Sequence, residues 1–270
     1  MGNDDDDVLA ETLAYLTVRP EGDGLVGQAP SWFGDYLFGG FVVAQAIIAA
    51  TRDAPDDRRL HSLHAYFLRP AMAAVDTTYR VATLRSGRAF STRHLEASQD
   101  GKPLLELACS FTTDTDGGYV YDLPGREPPP PLDESTVEQG PGPWVASYLG
   151  PTPPADDGTR ESTHRMWFRV PHELPDDPHL HAAMLGFASD WTGIGGRPLH
   201  LEGDTQGMVS LDHALWFHRP ARADDWLFYD VQSLVNAGGR GLLRGVMRDP
   251  DGRVVASLAQ EMRLTPPSGP

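Results

Sequence analysis

The chain has 270 residues, which is long for one domain and comfortable for two. Its hydrophobic fraction of 40% can build ordered cores, and 38 acidic against 22 basic residues give a formal net charge of −16. This balance argues against nucleic acid as a partner, because phosphate binding needs a basic surface. The single cysteine, Cys109, excludes a disulfide framework within the chain and predicts a reducing, cytoplasmic setting.

The first ten residues, MGNDDDDVLA, have neither a basic start nor an apolar core, so no secretory signal is expected in them. We interpret the acidic run 4–7 as a solvated, disordered tip. No stretch reaches the roughly 18 consecutive apolar residues that a membrane-spanning helix needs. A membrane span is therefore not predicted.

The next long apolar segment, FGGFVVAQAIIAATRDA, predicts a buried helix. Between Phe41 and Ala50 only Gln45 is polar, and a helix that is apolar on every side is enclosed by protein. The segment LHSLHAYFLRPA then reads as an apolar and aromatic strand ending in Arg-Pro-Ala. Further strands follow, with a bend at Gly87-Arg88 and a hairpin at Asp100-Gly101.

Residues 117–159 hold ten of the 24 prolines. Proline lacks a backbone donor and fixes φ, so this stretch is predicted to be neither a central strand nor a long helix. We interpret it as a linker that wraps the surface without carrying chemistry, with a short helical piece near Trp144 to Leu149.

The second part of the chain repeats the first at an offset of about 150 residues. Asp177 and Pro178 open a second apolar helix, PDDPHLHAAMLGFASDW. The strand VSLDHALWFHRPA follows, then a Gly239-Arg240 bend and an Asp251-Gly252 hairpin. The predicted fold class is α+β: a tandem (double) hotdog with two antiparallel sheets, each curled around a long buried helix and joined edge to edge. Its units are expected at 8–116 and 160–266.

These phrases resemble the type II acyl-CoA thioesterases over about 20–266, the linker matching poorly: FGGFVVAQA, LHSLHAYFLRP, LGFASD, SLDHALWFHRP and VVASLAQE. The resemblance implies a double-hotdog enzyme that hydrolyses fatty acyl-CoA to free acid and CoA, without a cofactor and as a homo-oligomer. It places the catalytic carboxylate on Asp190, the hydroxyl, usually Thr, on Ser210 and the amide on Gln260. In the family these groups hold and activate a water, and no acyl-enzyme forms.

Two of these residues stand out without the resemblance. Asp190 ends an apolar helix, where the dipole disfavours a negative charge and burial raises a carboxyl pKa; a raised pKa suits a general base. The alternative is an Asp outside the helix that caps the following turn. Gln260 is the only polar residue on one face of the last strand, and Cys109 takes the equivalent place in the first half. The alternative is a buried amide bonded to backbone.

Ser210 does not stand out. Simple alternation puts it on the outer face of its strand with Asp212, where a surface serine is the default; a bulge or the start of the strand could turn it inward. Asp212 and His213 offer a rival acid–base pair. Adjacent strand residues point to opposite faces, however, so their side chains cannot meet, and His213 is interpreted as a core residue.

The developing oxyanion needs fixed donors. Backbone N–H groups after Gly39-Gly40 are candidates, and Gln45 is either an accessory donor or a structural amide. Five arginines are candidates for the CoA phosphates: Arg69, Arg88, Arg219, Arg240 and Arg244. Arg69 and Arg219 precede proline in both halves and are interpreted as structural, which leaves Arg88, Arg240 and Arg244.

Other chemistries find little support. His61, His64, His179 and His181 lack companions with zinc-ligand spacing, so no metal site is predicted. The match to G-x-G-x-x-G at 22–27 is followed by proline where a helix should open, and we interpret it as a turn. Two alternatives remain open: a hotdog enoyl-CoA hydratase, and a non-catalytic protein that binds acyl thioesters or lipids.

Overall fold

The computed structural model describes residues 4–30, 34–55, 57–113, 121–122, 128–149, 163–192 and 208–264. The helices are α1 (Asp4–Leu16), α2 (Gly39–Thr51), α3 (Pro178–Ser189) and a 3-10 turn at Glu134–Thr136. No helix in this part of the chain is both long and apolar enough to cross a membrane. Much of the predicted linker (117–120, 123–127 and 150–159) lies outside the described residues, as do 114–116 of the first predicted unit and 160–162, 193–207 and 265–266 of the second.

The first half contributes six strands: β1 (Val18–Glu21), β2 (Gly24–Gly27), β3 (Arg58–Phe67), β4 (Thr77–Ser86), β5 (Phe90–Gln99) and β6 (Lys102–Thr113). The second half contributes the others: β7 (Glu138–Gln139), β8 (Val145–Tyr148), β9 (Thr163–Arg169), β10 (Met208–Ser210), β11 (Asp212–Phe217), β12 (Leu227–Ala237), β13 (Arg240–Arg248) and β14 (Val254–Leu264). The described strands pair antiparallel throughout.

All these strands belong to one sheet, in the order β1-β2-β4-β5-β6-β3-β11-β14-β13-β12-β9-β8-β7, with β10 beside β14. The two predicted sheets meet edge to edge and become one, because β3 and β11 hydrogen-bond to each other. Each strand would otherwise expose a row of unpaired backbone groups at a sheet edge. His64 lies opposite Ala214 in this pairing, and the two residues are separated by the repeat offset. A local twofold axis therefore passes through the β3–β11 pair.

The predicted hairpins form where Asp-Gly pairs stand. Asp100 and Gly101 join β5 to β6 with φ of 49° and 71°, the backbone that a tight two-residue turn requires. Asp251-Gly252 lies between β13 and β14, and Gly87-Arg88 lies between β4 and β5. Residues 22–27 form the turn after β1 and strand β2.

The two apolar helices pack against each other within the core, and both were predicted. On α2 the buried run extends from Gly40 to Ile47 and resumes at Ala49, and α3 is buried from His181 to Ser189. The predicted start of α3 is confirmed: the Asp177 carboxylate accepts a 2.8 Å hydrogen bond from the His179 N–H, and Pro178 opens the first turn.

The crossing of α2 and α3 depends on a glycine. Ile47 of α2 faces Gly186 of α3, and a Cβ atom at Gly186 would lie 2.5 Å from Ile47 Cδ1. A larger residue at Gly186 would force the end of the Ile47 side chain to move, so glycine favours this close approach.

The arginine of the repeated Arg-Pro motif makes a similar contact in both halves. The Arg69 guanidinium donates to the Pro103 carbonyl at 2.6 Å, and the Arg219 guanidinium donates to the Val254 carbonyl at 2.6 Å. Each arginine thus ties the end of a central strand, β3 or β11, to the start of its neighbour, β6 or β14. These bonds support the structural interpretation of Arg69 and Arg219.

Two local predictions are wrong. The segment at Trp144 to Leu149 is not helical, because Val145–Tyr148 forms β8 and pairs with β9. The Trp144 ring is fully buried against Phe168 and Phe187, and this packing fixes the segment to the sheet. The acidic run 4–7, expected to be a disordered tip, is the first turn of α1.

Candidate active site

Asp190 is the C-terminal cap of α3, and its side chain faces the N-terminus of α2. The Gly40 backbone N–H hydrogen-bonds to its carboxylate. A Cβ atom at Gly39 would lie 2.6 Å from Asp190 Oδ2, and one at Gly40 would lie 2.2 Å from the Phe187 carbonyl oxygen. The two glycines therefore let the positive end of α2 meet the carboxylate.

Gln260 joins the other two predicted site residues. It lies on β14 with no exposed surface. Its Nε2 donates to Asp190 Oδ1 at 2.7 Å and to Ser210 Oγ at 2.6 Å. The Thr192 hydroxyl donates to Gln260 Oε1 at 2.9 Å. Both ends of the amide are thus bonded, which fixes its orientation.

Ser210 reaches this cluster because the strand is bulged. Ser210 pairs with Met262 and Ala214 pairs with Ala259, so the register shifts by one residue between β10 and β11. At the shift, the Asp212 carboxylate accepts the Glu261 N–H at 2.7 Å. A one-residue shift moves a side chain to the opposite face. The Ser210 hydroxyl therefore lies 3.4 Å from Asp190 Oδ1, not on the outer face.

Burial dominates the electrostatics of the carboxyl group. Asp190 is 7% exposed, and desolvation raises its pKa to about 6. The hydrogen bonds from Gln260, Gly40 and Ser210 act in the opposite direction. Near neutral pH the group is mostly ionised, and it accepts a proton more readily than an exposed aspartate.

The rival acid–base pair does not form. Asp212 accepts the Glu261 N–H, whereas His213 is buried and its Nε2 lies 2.8 Å from the Ser189 hydroxyl. Burial lowers the pKa of His213 to about 4. The imidazole is therefore neutral near pH 7, in agreement with a core residue.

Gln45 lies within a different set of hydrogen bonds. Its Nε2 donates to the carbonyl oxygens of Tyr15 and Gln28, and the Tyr79 hydroxyl donates to its Oε1 at 2.6 Å. These bonds connect α2 to α1, to the segment after β2 and to β4. The structure favours the structural alternative for Gln45 over an accessory catalytic role.

Comparison with known proteins decides the family. A model described as the acyl-CoA thioesterase N-terminal domain matches residues 28–112, and one described as the C-terminal domain matches 124–264. Acyl-CoA thioesterase 2 of Haemophilus influenzae is 32% identical over 278 residues, covering 94% of this chain and 96% of that protein. The chain belongs to the type II acyl-CoA thioesterases.

Further relatives of this thioesterase agree. Human acyl-coenzyme A thioesterase 8 is 29% identical, with 94% of this chain and 88% of that protein covered. An acyl-CoA thioesterase II from Mycobacterium marinum, whose crystal structure is known, shares 33% sequence identity with this chain. The two structures superpose with a TM-score of 0.78, covering 96% of this chain and 99% of that chain. A hot dog fold protein from Alicyclobacillus acidocaldarius has a TM-score of 0.74 at 17% identity, with coverages of 96% and 99%, which shows the fold.

The three arginines predicted to bind CoA lie apart in this thioesterase. Arg88 is exposed in the turn between β4 and β5, in the first half. Arg244 is exposed on β13, bonded to Gln232 at 2.9 Å. Arg240 begins β13 beside Gly241, whose partner Met262 also pairs with Ser210. Arg244 pairs with Ala259, next to Gln260, so Arg240 and Arg244 both lie on the strand beside the site, whereas Arg88 lies in the first half.

Sequence reasoning missed two parts of the thioesterase site. Thr192 orients the Gln260 amide, and the Gly40 N–H, expected as an oxyanion donor, binds Asp190. Thr192 is fully buried two residues after Asp190. A threonine in the turn that follows an enclosed helix was the available signal, because a buried hydroxyl needs a partner.

Proposed function

We propose that Asp190 is the general base with which this acyl-CoA thioesterase hydrolyses fatty acyl-CoA. Asp190 takes a proton from water as the water oxygen attacks the thioester carbonyl. The tetrahedral intermediate then collapses, the C–S bond breaks, and the CoA sulfur leaves with the proton that Asp190 had accepted. The products are the free acid and CoA, and no acyl-enzyme forms.

The observation that carries this proposal is the direct bonding of the three polar groups. One amide nitrogen of Gln260 holds Asp190 Oδ1 at 2.7 Å and Ser210 Oγ at 2.6 Å. Gln260 thereby fixes the carboxylate and the hydroxyl side by side, where both can orient one water. Such positioning can supply several kcal/mol of the barrier reduction.

The oxyanion and the CoA moiety need partners of their own. The Gly40 N–H already donates a hydrogen bond to Asp190. The neighbouring Gly39 N–H, at the start of α2, is therefore the proposed oxyanion donor. For the CoA phosphates we propose Arg240, which begins β13 next to Gly241, the partner of Met262. Its ion pair with Glu261, 2.9 Å long and exposed, contributes little stability and can be exchanged for a phosphate.

We propose that the fold is a double hotdog of two units, 8–116 and 160–266, with 117–159 between them. The twofold relation at β3–β11 and the two family models, which match 28–112 and 124–264, support two units. The second model begins within 117–159, and β8 of that segment pairs with β9. A homo-oligomer and a cytoplasmic location are further proposals. The single buried thiol, Cys109, supports the latter.

The test of the mechanism is Asp190→Asn, which keeps the shape of the side chain and removes the proton acceptor. Turnover of a series of acyl-CoAs should fall roughly 10²–10⁴-fold, the scale of general-base loss. Gln260→Ala should cost less, and the two losses should not add because both act on one water. Asp212→Asn is the matched control, since its carboxylate bonds only to backbone in the described structure and an amide oxygen can replace it.

The outcomes separate the candidate functions. Wild-type turnover in a folded Asp190→Asn variant would refute the mechanism, and so would a trapped acyl-enzyme. Hydration of an enoyl-CoA without thioester hydrolysis would favour the hydratase. Binding of acyl-CoA with no turnover in the wild type would favour a non-catalytic protein.

A further inference from the structure

A cavity of about 420 Å³ lies at the N-terminal end of α3, away from Asp190. His181 and Asp190 are separated by nine residues of helix, which is about 13 Å along the axis. The volume falls within the usual range for small-molecule sites, roughly 300–1,000 Å³. Its apolar lining includes Leu60, Ala182, Leu185, Phe217, Leu227 and Val255.

This cavity is the twofold counterpart of the active site. In the active site, Phe67 at the end of β3 lies beside Gly39 at the N-terminus of α2. In the cavity, Phe217 at the end of β11 lies with Pro178 at the N-terminus of α3. The antiparallel pairing of β3 and β11 puts these two places at opposite ends of the same strand pair.

The counterpart lacks the groups needed for hydrolysis. Leu60 on β3 takes the place of Ser210, and Cys109, which pairs with Leu63, takes that of Gln260. The C-cap of α2 is Arg52, where α3 has the carboxylate of Asp190, and the Arg52 guanidinium donates to the Val18 carbonyl at 3.0 Å. Burial raises the pKa of Cys109 to about 12, so the thiol is not a nucleophile near neutral pH.

A polar donor nevertheless faces the cavity. His181 is 3% exposed and lines it. Its Nδ1 accepts the Ala223 N–H at 3.1 Å, so Nε2 carries the ring proton. Within the described part of the chain, Nε2 is buried without a hydrogen-bond partner. Burial lowers the pKa of His181, which keeps the ring neutral. A buried donor left unpaired is costly unless a ligand satisfies it.

We infer that this cavity is a second, non-catalytic site for an acyl chain, whose carboxylate or carbonyl oxygen accepts the His181 Nε2–H. The charges at the rim are balanced: Arg59, Arg219 and Arg222 against Asp176, Asp225 and Asp249. Apolar burial and one hydrogen bond, rather than net charge, would therefore select the ligand. The inference rests on acyl-CoA hydrolysis as the activity and is independent of the role of Asp190.

The experiment counts bound ligands on the intact protein by calorimetry and native mass spectrometry. Two probes distinguish the source of the chain: dodecanoate, and 2-oxotetradecyl-CoA, a thioether that keeps a carbonyl and resists hydrolysis. The wild type should bind two acyl chains per protein chain with at least one probe. Ala182→Leu, which fills the cavity, should bind one and retain wild-type turnover.

His181→Asn provides the second variant, because its Oδ1 can accept the Ala223 N–H where Nδ1 did, while the shorter side chain places no donor at the position of Nε2. It should weaken the second site about tenfold, with turnover unchanged. A single site in the wild type would overturn the inference, as would two sites that neither variant changes. Since binding is measured without turnover, failure here is distinct from failure of the Asp190 mechanism.

Discussion

Replacing Asp190 by asparagine should stabilise the fold while it removes activity. The ionised carboxylate is buried, and its pKa rises from an ordinary 3.8 to about 6. At about 1.4 kcal/mol per pH unit, this difference corresponds to about 3 kcal/mol by which ionisation destabilises the folded state above pH 6. Asparagine is neutral at every pH and resembles the protonated acid in its donors and acceptors. The variant should therefore gain up to about 3 kcal/mol near pH 8.

The stability difference between the variant and the wild type should grow as the pH rises. Below about pH 3 the carboxyl is largely protonated in both states, so the two proteins should have nearly equal stability. As pH rises from about 4 to 6, the unfolded state ionises first and the wild type loses stability relative to the variant. Above about pH 7 the gap should be constant. Wild-type kcat/KM should rise with pH where the wild-type stability falls. Below about pH 6 it should decrease tenfold per pH unit as Asp190 is protonated.

The assay is urea unfolding of both proteins from pH 4 to 8 at one protein concentration, because association shifts apparent stability. The difference between the two removes the titration of every other group. A difference that does not vary with pH would refute the reasoning, and so would a less stable variant at pH 8.

Three further outcomes follow from the contacts. Thr192→Val leaves the Gln260 Oε1 without its 2.9 Å donor, so kcat should fall several-fold in a steady-state assay with acyl-CoA. Asp177→Ala removes the cap of α3 and should lower the free energy of unfolding by about 1 kcal/mol in thermal denaturation. Shortening the proline run 128–131 should leave turnover of a short acyl-CoA largely intact but lower the melting temperature, because the Trp167 indole donates to a carbonyl there; lost activity in a folded protein would contradict this.

A site residue can be predicted from the sequence when a local pattern fixes its position, and not when a contact between distant strands does. Asp190 and Gln260 were found because a helix end and a strand face are periodic, local patterns. The inward orientation of the Ser210 side chain was not predicted. It depends on the bulge at which Asp212 bonds to Glu261, and this contact joins strands that are distant in sequence. The same holds for β8, whose local composition gives no hint of its pairing with β9. Which strands join the two halves likewise depends on partners that periodicity does not reveal.

The contact between the Gly40 N–H and Asp190 has a consequence for how such a chain can diverge. One half supplies the helix end that receives the carboxylate, and the other supplies the carboxylate, the hydroxyl and the amide. A dimer of identical units would have to keep both sets in every copy. A fused chain is free of that constraint, so each half can specialise, and neither half expressed by itself would contain a complete catalytic centre.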